Sequence, residues 1–202
     1  MTTNQISWRK PMLALTFVPL AIALNVGIGA IVKALNLPLY LDSIGTILAT
    51  IMLGWRWGAV VGVLGFIITA IIINPLAVYF VGTQVAIAIF INVMAINGWF
   101  KNVFRTVVTG LLLGLVSAIV SAPVIIFVFG GATGNGSALV TSFFVKFGHQ
   151  IVNSIFLSGF SIEPLDKCLQ CLLAFFIIKR IPASILERFP SAALIQNKLI
   201  PK

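Results

Sequence analysis

Long charge-free apolar runs, separated by short polar breaks, dominate the chain. Pro11–Val32 lies without a charge between Lys10 and Lys33. A hydrocarbon core about 30 Å thick takes about 20 residues of helix, so this run predicts a first span at 11–35. Its length, and the spans that follow, exclude a cleavable signal peptide. Ser43–Trp55 is a shorter uncharged run, about 20 Å as a helix. It predicts a short second span at 41–54, starting near Tyr40–Asp42 and shielded by its neighbours. Trp57–Phe100 carries no charge and is long enough for two spans. Asn74-Pro75 breaks it, because proline lacks a backbone donor and restricts the residue before it. The third and fourth spans are therefore expected at 57–73 and 76–97. Lys101 and Arg105 open a fifth at 103–128, with Pro123 near its far end. Beyond a Gly-rich stretch, Gly130–Ser137, two apolar stretches follow, 139–160 and 162–181, split at Glu163-Pro164.

Charge decides how these stretches cross. Cytoplasmic loops of membrane proteins carry an excess of Lys and Arg. With a cytoplasmic N-terminus and six crossings, Arg9, Lys10, Arg56, Lys101, Arg105, Lys179, Arg180, Arg188, Lys198 and Lys202 all fall inside, with Glu187. Only Lys33, Lys146 and Lys167 fall outside, with Asp42, Glu163 and Asp166. A full crossing by 139–160 would move the C-terminal cations outside and destroy this bias. The stretch 139–160 is therefore expected to be a re-entrant or interfacial helix on the outer side. The expectation is an all-α polytopic membrane protein: one domain, six transmembrane helices plus that extra helix, both termini cytoplasmic, in the cell membrane.

Composition agrees. Of 202 residues, 60% are hydrophobic and 8% charged, against about 45–50% and about 25% in soluble domains. The net charge of +9 comes from dispersed topology signals, not from the clustered basic face that nucleic acid requires. A faint internal echo pairs Gly54-Trp55 and Asn74-Pro75 with Gly98-Trp99 and Ala122-Pro123; it is weak support for a repeat.

The chain has no G-x-x-x-x-G-K-[ST] phosphate loop, and its Gly130–Gly136 stretch reads as a connector. His149 is the sole histidine, which excludes a His-rich metal site. Cys168-Leu-Gln-Cys171 lies in an apolar helix, without the strand before it that a redox motif needs or the further ligands that zinc needs. Asn135-Gly-Ser137 fits a glycosylation acceptor, a short and uninformative pattern. No cofactor is expected.

Polar groups at membrane depth are the informative residues, since such groups are rare there and tend to be functional. Asp42 stands at the outer start of the second span, beside Tyr40, as a ligand contact or an N-cap. Asn74, Tyr79 and Gln84 cluster at the outer ends of the third and fourth spans. His149, Gln150 and Asn153 fall within about one helical turn, with 149 and 153 on one face. Asp166 and Lys167 follow at the outer start of the last span, where a helix dipole favours a carboxylate. Together these residues are expected to line one outer pocket with several Phe, suited to a small flat organic ligand. Asp42, Asp166 and Lys167 nearly balance, which permits a neutral or zwitterionic ring compound and disfavours a strong anion. All four acids fall near helix ends or outside, so no proton or sodium relay is expected at mid-membrane. Small residues recur on the first helix at Ala23, Gly27 and Ala30, and on the third at Gly58, Gly62 and Gly65. Such faces let helices approach closely, within this chain or against another subunit.

In size, span number, basic cytoplasmic side, the face Ala23-Leu-Asn-Val-Gly27 and the stretch Leu41–Gly54, the chain resembles the substrate-binding S components of energy-coupling factor (ECF) vitamin transporters. Members carry A-x-x-x-A on the first helix; here the second small residue is Gly27. The resemblance covers about residues 11–181. It implies a subunit that is not itself an enzyme. Such a subunit captures a vitamin-like molecule from outside, docks through its first helix on a transmembrane coupling subunit driven by two cytoplasmic ATPases, and topples to deliver its ligand inward. Pyridoxine-like, nucleobase-like and corrinoid ligands all remain open. Three other readings stand beside it: a stand-alone secondary transporter, a membrane sensor module, since Leu41–Gly54 is also similar to such input domains, and a purely structural subunit.

Overall fold

The computed structural model describes residues 5–130, 137–148, 150–189 and 191–192, with side chains from residue 13 onward except 137 and 151. The regular structure is all helical: α1 Gln5–Ala34, α2 Ile44–Leu53, α3 Trp55–Ile72, a 3-10 turn Pro75–Phe80, α4 Val81–Ile96, α5 Val103–Phe127, α6 Ser137–Lys146, α7 Ile151–Arg180 and α8 Ala183–Leu186. Among the described residues, four helical stretches are long and apolar enough to cross a membrane: Leu13–Ala34, Trp55–Ile72, Pro75–Ile96 and Val103–Phe127. The protein is therefore read as membrane-embedded and multi-pass.

The short α2 is the hub. All ten of its residues are buried, and it packs against α1, α3, α4 and α7. This explains how a helix too short to cross alone stays out of lipid. Its neighbours come close where side chains are missing. A Cβ at Gly45 would collide with the Ala21 carbonyl of α1, and one at Gly58 of α3 with Thr50. Gly62 faces Gln84 of α4, and Gly65 faces Asn25 of α1. The glycines of α3 thus serve packing within the chain. Gly54, at φ +98, makes the sharp turn from α2 into α3, a conformation other residues rarely take.

Asn74-Pro75 breaks the long apolar run as expected, but α4 proper starts only after the 3-10 turn, with the Asn74 side chain accepting from the Leu76 N–H at 3.2 Å. The break expected at Glu163-Pro164 does not occur. α7 runs straight through Pro164 for 30 residues, about 45 Å, and residues 151–160 belong to it. The expected re-entrant helix at 139–160 is instead divided: α6 ends at Lys146, and a turn containing Gly148 at φ +87 precedes α7. A proline inside a helix is tolerated where a neighbouring helix packs closely on it. Here α5 supplies that support, since Gly114 and Gly110 bring its backbone against Pro164 and Cys168.

Candidate functional site

One polar network crosses the apolar bundle. It begins on α1, where Asn25, 3% exposed, accepts from the Gly45 N–H at 2.6 Å and donates to Thr46 Oγ1 at 2.9 Å. Thr46 donates to Gln84 Oε1 at 2.8 Å, and Gln84 Nε2 donates to Ser43 Oγ at 2.8 Å. Ser43 donates its hydroxyl to Asp42 at 2.8 Å and its N–H to Gln170 Oε1 at 3.0 Å. Gln170 Nε2 donates to Asp166 Oδ2 at 2.7 Å. Buried polar groups are tolerated when each finds a partner, and this chain of partners links α1, α2, α4 and α7.

Asp166 is fully buried and saturated. Its Oδ1 accepts the successive N–H groups of Tyr40 and Leu41, each at 2.9 Å; its Oδ2 takes Gln170 and the Lys167 ammonium, each at 2.7 Å. Leu41 has φ +48, a left-handed conformation that costs a non-glycine residue about 1–3 kcal/mol. The charge-assisted bonds from Asp166 offset that strain. Asp166 thus acts as the latch that holds the α1–α2 loop over the bundle. Lys167 Nζ lies 3.6 Å from both Asp42 and Glu163 and 5.8 Å from the centre of the Tyr40 ring. Asp166 and Lys167 are in the middle of α7, not at a helix start.

Two adjoining chambers meet at this network and share Tyr40, Asp42, Phe66 and Phe80 as walls. The outer one, about 120 Å³, lies between α1, α3 and the 3-10 turn and reaches Lys33, Thr69 and Asn74. The inner one, about 50 Å³, extends between α3, α4, α5 and α7 to Thr83, Gln84, Glu163 and Lys167. Phe80 stacks edgewise on Phe66 and tilts on Phe129, with centroids 6.5 and 5.5 Å apart. Two buried oxygens on the inner chamber, Thr83 Oγ1 and Glu163 Oε2, have no hydrogen-bond partner. A wide groove of about 650 Å³ between α1, α2, α7 and α8 is lined by apolar side chains and Arg180; it lacks convergent polar groups.

No protein-family model, curated protein or solved structure matches the chain. The site therefore rests on its own geometry.

That geometry gathers five of the residues expected at the pocket. Tyr40, Asp42 and Asn74 line the outer chamber, Gln84 and Lys167 the inner. Asp166 braces the loop from behind. Tyr79 is 55% exposed and lines neither chamber. Gln150 and Asn153 are exposed and stand apart from both, because the buried face of α7 runs through Ser154, Ser158, Glu163, Lys167 and Gln170. His149 lies outside the described residues, as do most of the Gly-rich stretch and Asn135. Ala23 and Gly27 are exposed, and a Cβ at Gly27 would meet nothing within 4 Å. Ala30, expected on the same docking face, instead lines the outer chamber.

Sequence reasoning missed Asn25, Ser43, Thr46, Thr83, Glu163 and Gln170. For α7 a signal existed: 163, 166, 167 and 170 follow helical spacing and share one face. The assumed break at Pro164 concealed it.

Proposed function

We propose that the chain is the membrane-embedded substrate-binding subunit of an ECF-type importer, an S component. On this reading α1–α5 and α7 make six crossings, with both termini in the cytoplasm. α7 accompanies α5 across the bilayer, and α2 is carried within the protein. A vitamin-like organic molecule enters from outside, between α1, α3 and the 3-10 turn, into the aromatic chambers. The exposed Ala23–Gly27 face of α1 docks on a transmembrane coupling subunit powered by two ATPases.

The observation that carries the reading is the pair of adjoining chambers whose floor is a continuous buried polar network, with two oxygens on the inner chamber that lack a hydrogen-bond partner. Pockets that are mostly apolar with a few converging polar groups are the common form of small-molecule sites.

A stand-alone secondary transporter is the second reading. It is favoured by Glu163, a buried carboxylate near the middle of α7, where sequence reasoning expected none. Uptake of the ligand that co-purifies with the protein separates the two. The importer reading expects uptake to vanish in cells lacking every ECF ATPase. Uptake that persists there establishes the secondary transporter instead.

A further inference from the structure

We propose that the inner chamber takes the positively charged, N–H-bearing end of an organic cation, with an aromatic or flat ring seated in the outer chamber. This deepens the binding-subunit reading and rests on its assignment of the two chambers as a ligand site.

The hydrogen-bonding groups at the inner chamber decide which ligand group fits there. Gln84 faces the inner chamber, but both ends of its amide are engaged, with Thr46 and Ser43. Lys167 also faces it, yet its ammonium already serves Asp166, Asp42 and Glu163. Lys167 is thus held among three carboxylates, and Gln84 keeps one amide N–H beyond its bond to Ser43. Two oxygens lack a hydrogen-bond partner, Thr83 Oγ1 on α4 and Glu163 Oε2 on α7, the latter 3.6 Å from Lys167 Nζ; the residues are 7% and 6% exposed. They come from different helices and line the same small space. A carboxylate oxygen only accepts, and a hydroxyl accepts as well as donates. The complementary ligand group is therefore an N–H donor.

Charge points the same way. Asp42, Glu163 and Asp166 stand around one lysine, so acidic groups outnumber basic ones at the inner chamber. A cation can pair with a carboxylate there, where an anion is repelled. The walls suit a cation too, since Phe66 and Phe80 present rings, and aromatic faces attract cations. The chamber, about 50 Å³, has room for an ammonium or amidinium head, while the ring fits the outer chamber. The neutral or zwitterionic ligand expected from sequence followed from counting Glu163 as a loop residue.

The test uses the full chain in lipid nanodiscs and three probes of one shape: benzamidinium, benzamide and benzoate, titrated by calorimetry. Charge-assisted bonds are about twice as strong as neutral ones, so benzamidinium should bind at least about tenfold more tightly than benzamide, a difference of about 1.4 kcal/mol. Benzoate should not bind. Glu163→Gln should erase the preference for the cation, and Thr83→Val, which keeps side-chain shape, should weaken benzamidinium if Glu163→Gln fails to fold. Benzamide or benzoate binding as tightly as benzamidinium overturns the proposal, and so does failure of all three to bind folded protein. Neither result touches the importer reading, which falls only if uptake survives without the ECF ATPases. That survival in turn leaves the cation assignment standing.

Discussion

Gln84 and Asn153 are both amides in apolar surroundings, and from sequence both qualify as ligand contacts. Their positions separate them. Gln84 is 2% exposed and joins Thr46 to Ser43; Asn153 is exposed. Gln84→Ala leaves the Thr46 and Ser43 hydroxyls without their shared partner beside the inner chamber. Losing a buried hydrogen bond costs about 1–3 kcal/mol of stability. Thermal unfolding of the purified variant in detergent should show a loss in that range. Asn153→Ala should stay within about 0.5 kcal/mol of the parent, as surface changes do. Equal effects of the two would show that the Thr46–Gln84–Ser43 bonds do not hold the bundle together. The difference could not be read from the sequence, because it depends on which face of α7 turns inward. Asp42, Lys167 and Gln84 were legible because charges and amides are conspicuous in apolar runs. Asn25 and Thr46 were not, because one amide between Ala23 and Gly27 and one hydroxyl in a strongly apolar helix carry no sign of their partners.

Element boundaries were legible wherever a local signal agreed with the packing. Asn74-Pro75 ends α3, and Asn102 caps α5 by accepting from the Arg105 N–H at 3.0 Å. Glu163-Pro164 carried the same local signal and gave the wrong boundary, since what keeps α7 continuous is non-local. Gly110 and Gly114 of α5 face the backbone of α7 at Cys168 and Pro164. That close approach compensates a helix missing one internal donor. The α5–α7 contact should therefore be intolerant of bulk. Gly114→Val puts branched carbons where Pro164 stands, and forced overpacking costs about 1–3 kcal/mol. The expected result is a lower thermal unfolding midpoint in detergent, together with weaker ligand binding, because Glu163 and Lys167 flank the displaced turn. Gly82→Val is the matched control: a Cβ there meets nothing within 4 Å, so stability should change little. If Gly114→Val unfolds at the parent's temperature, the close α5–α7 contact does not support the proline.

Across the whole molecule, the proposed reading assigns ligand binding and partner docking to different residues of α1. Asn25 and Gly29 turn toward the outer chamber, whereas Ala23 and Gly27 are exposed. Gly45 of α2 packs on the buried side of α1, against the Ala21 backbone. A helix so divided permits binding and partner docking to be broken separately. Gly27→Trp tests that division. The new ring points into space that is empty in this chain, so folding and the network through Asn25 should survive. In lipid, tight helix association depends on close packing of small residues, and an indole at Gly27 keeps a partner helix away. Purified Gly27→Trp should therefore bind the co-purifying ligand within about twofold of the parent, well under the 1.4 kcal/mol that marks a tenfold change. In cells its uptake should collapse, and the coupling subunit should no longer co-purify. Retained uptake with retained binding would show that this face of α1 meets only lipid. Loss of both together would mean that the two sides of α1 are not independent.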